Sequence, residues 1–84
     1  MTYTDAKHTI INSIRNRVYM FNMYVKEDDS DPEIVQSLRN EITGMLICLK
    51  NISLPDETWC TKYIEGRIEF GYFDEFGIWI SVQK

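Results

Sequence analysis

Two stretches of the chain space their apolar residues three and four positions apart, and a third alternates them at every second position. In the first, Ile11, Ile14, Val18, Phe21 and Val25 fall on one stripe of an α-helix, which Ile10 and Tyr24 widen. In the second, Val35, Leu38, Ile42, Met45, Leu49 and Ile52 repeat the pattern. The first helix is expected from Thr4, whose hydroxyl can cap free backbone N–H groups with Asp5 in the first turn, to about Lys26. An acidic link follows, and Asp31 before Pro32 reads as an N-cap with proline at the first helical position, while Ser30 to Glu33 fits a capping box. The second helix is expected to stop before Ser53, Leu54 and Pro55. Gly44 lies within it, where glycine costs about 1 kcal/mol relative to alanine, and this predicts a close aromatic from a sheet.

Beyond Pro55 the period drops to two. Ile68, Phe70 and Tyr72 alternate with Arg67, Glu69 and Gly71, and Ile78, Ile80 and Val82 alternate with Trp79, Ser81 and Gln83. Between these strands, Asp74, Glu75, Phe76 and Gly77 suit a type I turn closed by a glycine bulge, because Asp bonds the turn backbone and Gly accepts a left-handed conformation. That turn sets Asp74 against Ile78, Phe73 against Trp79, Tyr72 against Ile80 and Phe70 against Val82, so Ile68, Phe70, Tyr72, Ile80 and Val82 share one apolar face. Residues from Trp59 to Ile64 form a third strand if Glu65 and Gly66 make a tight turn, with Tyr63 beside Ile68 and Lys62 opposite Glu69. Glu is a poor first residue for such a turn, and a glycine bulge within one long strand is the alternative. The pattern implies a single α+β domain over residues 1–84. It is two-layered, an antiparallel helical hairpin followed by a two- or three-stranded antiparallel sheet, in the order ααβββ.

Composition supports a packed core without staples: 44% of the 84 residues are hydrophobic and 13% aromatic, enough for so short a chain to fold without disulfides or a structural metal. Nine Lys and Arg against thirteen Asp and Glu leave a net charge of −4, which argues against a sequence-independent grip on nucleic acid. Cys48 and Cys60 are too few for a four-cysteine zinc site and are expected to be reduced. The first residues lack the basic and apolar regions of a secretory signal, and no apolar run approaches the roughly 20 residues needed to cross a bilayer. A cytoplasmic protein is expected.

No constellation of catalytic or cofactor-binding residues stands out. His8 is the sole histidine, at the start of a helix and without a partner at interpretable spacing. Asp29, Ser30 and Asp31 resemble the start of a calcium loop, but Ile34 stands where that loop needs glycine. Glu69, Asp74 and Glu75 are near enough in the hairpin to suggest an acid–base pair, yet a solvated hairpin tip leaves carboxylates ordinary, and Asp74 is committed to the turn. The three sheet-region glycines, Gly66, Gly71 and Gly77, are too widely spaced for a phosphate loop. No cofactor is expected.

Two features are left over from the core. Phe73 and Trp79 form a cross-strand aromatic pair on the outer sheet face, which also carries Glu69. Asn12, Asn16, Tyr19 and Met23 line up on the polar side of the first helix, where Tyr and Met are unnecessary for folding. The expected partner is therefore another protein, through Phe73, Trp79, Glu69, Tyr19, Met23 and Asn16, with self-association as a homodimer also expected. The function expected is that of a non-enzymatic module: a stoichiometric inhibitor, an antitoxin or immunity-type partner, or a phage-encoded blocker of a host factor. An oligomeric nucleotide-sequestering protein is the first alternative, and an RNA-binding or regulatory subunit the second.

Overall fold

A computed structural model describes residues 3–26 and 31–83. Two helices, α1 (Tyr3–Val25) and α2 (Pro32–Ile52), precede three strands, β1 (Thr58–Ile64), β2 (Arg67–Phe73) and β3 (Trp79–Ser81). The sheet is antiparallel in the order β1-β2-β3. One helical layer covers it, with α1 over β2 and α2 over β1.

The start of α2 follows its capping chemistry: the Asp31 carboxylate accepts from the Glu33 N–H at 2.9 Å, and Pro32 is the first helical residue. Ser30 lies outside the described residues, as does the capping box that would use it. The Tyr24 hydroxyl accepts from the Asp31 N–H at 2.8 Å, and an Arg17–Glu41 ion pair spans the helix middles at 3.3 Å. Both contacts fit the antiparallel hairpin. Thr4 is not the cap of α1, because the helix already includes Tyr3.

Ile14, Val18 and Phe21 from α1 and Ile42, Leu46 and Leu49 from α2 are buried together with Trp59, Ile68 and Phe70 from the sheet. Leu46 is buried where Met45 is only partly so, since 42, 46 and 49 share a helix face as well as 42, 45 and 49 do, and Met45 packs at the margin of the core. Trp59 opposes Tyr72 and so lies on the helix-facing side; its ring is 5.4 Å from Phe70 and 4.7 Å from Tyr72. Lys7 closes this end, placed over the Trp59 ring at 5.8 Å and paired with Glu57. No aromatic fills the space beside Gly44, which is exposed with nothing within 4 Å of where its Cβ would be.

The sheet register agrees with the turn chemistry. Phe73 pairs with Trp79, Tyr72 with Ile80, Lys62 with Glu69 and Tyr63 with Ile68. The Asp74 carbonyl accepts from Gly77 at 3.0 Å, its carboxylate accepts from the Phe76 and Ile78 N–H groups at 2.9 and 3.0 Å, and Gly77 has φ 76°. Between β1 and β2 the two-residue turn forms despite its glutamate, with Glu65 at φ 51° and Gly66 at φ 80°. Left-handed values at both central positions define a type I′ turn, so the glycine-bulge alternative does not apply.

β3 is shorter than the alternation implies. Ile78 lies just before the strand, opposite Asp74 as expected, with its carbonyl accepting from the Asp74 N–H at 3.0 Å, and past the Val82 N–H, which donates to the Phe70 carbonyl at 2.9 Å, the backbone leaves β2. The next edge groups of β2 are met by a side chain instead: the Asn22 amide donates to the Ile68 carbonyl and accepts from the Ile68 N–H, both at 2.8 Å. A primary amide presents a donor and an acceptor side by side, as a strand backbone does. Ile80, expected to face the helices, is on that face but 36% exposed, because α1 and α2 cover β2 and β1 and stop short of β3.

Gly71 is where β3 crosses closest. A Cβ there would fall on the Ile80 carbonyl oxygen and stand 2.9 Å from Ser81 Cα. Asn22→Leu is expected to destabilise the fold by about 2 kcal/mol, since it leaves two backbone groups of Ile68 unpaired. Gly71→Ala is expected to cost about 3 kcal/mol or more and to detach β3. Urea unfolding gives the first quantity, and loss of cross-strand NOEs between Tyr72 and Ile80 reports the second.

Candidate functional site

The outer face of the sheet carries the aromatic pair. The Phe73 and Trp79 rings are 5.2 Å apart and inclined at 60°. Lys62 extends across both, its ammonium 4.9 Å from the Phe73 centroid and 4.8 Å from that of Trp79. Lys62 thus covers the rings, although Glu69 is its cross-strand neighbour, and Phe73 and Trp79 are half-buried instead of standing free as their register implies. The Trp79 indole N–H is buried without a partner among the described residues.

A different arrangement arises at the uncovered edge of β2. Tyr19, Asn22, Met23 and Lys26 occupy one face of α1 by their three- and four-residue spacing, and the Asn22 amide fastens that face to Ile68. The result is a groove of about 370 Å³ whose other wall includes Arg67, Glu69, Ser81 and Gln83. Tyr19 is 62% exposed and Met23 52%. A second hollow of about 360 Å³ shares Tyr19 and Gln83 and runs along α1 past Asn16, Arg15 and Asn12. Tyr19, Met23 and Glu69 are therefore brought together, Asn16 lies further along, and Phe73 and Trp79 form a separate patch.

Gln83 is the residue that sequence reasoning missed here. Its amide nitrogen donates to the Arg15 carbonyl at 3.2 Å, which draws the chain after β3 back against α1, while its Oε1 is buried without a partner among the described residues. Lys26 and Arg67, which also line the groove, make no ion pair among the described residues. Periodicity carries no signal for Gln83 and Arg67, because their proximity depends on where β3 ends, whereas Lys26 follows Tyr19 and Met23 at helical spacing.

A third surface is apolar. Phe76, Ile78 and Ile80 are 77%, 59% and 36% exposed along the hairpin of β3, and β3 is an edge strand paired only with β2.

Elsewhere the chemistry is sparse. His8 is exposed on α1, and the Asp74 carboxylate is occupied by the two turn N–H groups. Among the described residues no three His, Cys, Asp or Glu side chains gather as a metal site, and no helix is long and apolar enough to cross a membrane. Comparison with protein families, curated proteins and solved structures found no match.

Both cysteines are free. Burial pushes the Cys60 thiol above its ordinary value of 9.0, against the smaller opposing pull of Lys50 and Lys62. A raised pKa leaves less thiolate at every pH below it, so Cys60 is expected to alkylate more slowly than exposed Cys48, by about tenfold. Iodoacetamide labelling at pH 8 followed by peptide mass spectrometry measures the ratio.

Proposed function

We propose that the chain is a non-enzymatic protein-binding module that acts by occupying the surface of another protein, as a small stoichiometric inhibitor, an antitoxin or immunity-type partner, or a phage-encoded blocker of a host factor does. The observation that carries this reading is the exposed apolar rim formed by Ile80 on the edge strand β3 and by Phe76 and Ile78 in the segment that leads into it. An extended segment of a partner can pair with the outer backbone of β3, while its alternate side chains cover Ile78 and Ile80. Hydrogen bonds to the strand supply affinity, and the shape of the rim supplies selectivity. The half-buried Phe73 and Trp79 contribute by holding β3 against β2, so their part in docking is to present the rim.

A partner is expected to co-purify at one-to-one stoichiometry with the wild-type chain and to be lost with the double variant Ile78→Glu, Ile80→Glu. Far-UV circular dichroism of that variant should be unchanged, because both side chains are exposed. A second copy of the chain is the competing occupant of the rim. Light scattering decides between them: a wild-type dimer that the double variant converts to monomer assigns the rim to self-association and overturns the reading.

A further inference from the structure

The groove between α1 and the edge of β2 has a composition that the docking reading leaves unused. The chain as a whole carries a net charge of −4, yet among the described residues the groove is lined by Lys26 and Arg67 against the single carboxylate of Glu69. Tyr19 and Met23 give it an aromatic and an adaptable apolar wall. A volume of about 370 Å³ lies at the small end of ligand sites.

We propose that this groove binds a small monoanionic carboxylate that carries an apolar or aromatic body. The carboxylate meets Arg67 and Lys26, and the body lies between Tyr19 and Met23. Arg67 suits a carboxylate because its planar guanidinium can bond both oxygens at once. Glu69 decides the charge of the ligand. A negative group in the same groove opposes di- and triphosphates, and it opposes the phosphate backbone of RNA, while one negative charge is still outweighed by two cations. The groove therefore discriminates against nucleotides. The same chemistry occurs in a free N-acylated amino acid and at the C-terminus of a peptide, and both are sources of the ligand. The site is separate from the β3 rim, so the protein-docking reading can fail without affecting it.

The test is NMR titration of the labelled full chain with N-acetyl-L-phenylalanine, with its C-terminal amide, with a tetrapeptide ending in a free Phe carboxylate, and with ATP, each to about 10 mM. The expected result is a set of shift changes centred on Tyr19, Met23, Arg67 and Gln83 for the two carboxylates and none for the amide. The free amino acid and the peptide separate the two sources by their relative affinities. Arg67→Gln should weaken carboxylate binding about tenfold. Glu69→Gln should strengthen it and admit ATP, an outcome that mere loss of structure would not produce. Equal binding of acid and amide, shifts centred elsewhere, an unaltered affinity in Arg67→Gln, or no shift with either carboxylate would each overturn the proposal.

Discussion

The constraint on which the rest of the structure depends is an edge that must be satisfied: β2 has seven residues, and β3 has three with which to pair it. Val82 extends the pairing by one hydrogen bond, and the groups of Ile68 are then met by the Asn22 amide. Because these bonds join α1 to β2 across 46 positions of sequence, they fix the rotation of the helix as well as its distance from the sheet. With Asn22 held, Tyr19 and Lys26 lie on the same side of the helix and turn to the open edge, while Ile14, Val18 and Phe21 point into the core. Folding and the candidate site are thus coupled through one polar side chain.

Much of this fold was legible because its decisive signals are local. Asp74 and Gly77 belong to one turn, and that turn determines which residues of two strands face each other. Asp31 and Pro32 likewise state where α2 begins within two positions. Periods of 3.6 and 2 separate helices from strands with no reference to long-range contacts. Glu65 is the informative exception: a residue unsuited to φ 51° adopts it because the paired strands on either side leave room for only two turn residues.

What was not legible depends on partners far along the chain. Asn22 on a helix reads as solvent-facing, and only the early departure of β3 makes it a strand surrogate. Gly71 reads as an ordinary outward position, but the Ile80 carbonyl occupies the space of its missing side chain. The choice between Met45 and Leu46 turns on which face of α2 meets α1 and β1, which helical spacing does not encode. The aromatic pair shows the same limit from the other side. Register correctly placed Phe73 and Trp79 on the outer face, but the path of Lys62 over them is a matter of side-chain packing.

The geometry also constrains how large a partner surface the outer sheet face can offer. Three strands about 4.8 Å apart and at most seven residues long present a face of roughly 300 Å². A stable interface buries about 800 Å² on each partner, so the Phe73 and Trp79 face alone is too small to hold one. A partner strand docked on the β3 rim, as proposed, would escape this limit, because backbone pairing along an edge adds directional hydrogen bonds and joins two sheets into one, so that covered area grows on both faces of the strand. Glu75 and Asp74 at the tip of that hairpin would then lie at the margin of the interface, where charge affects the rate of encounter more than the strength of the complex.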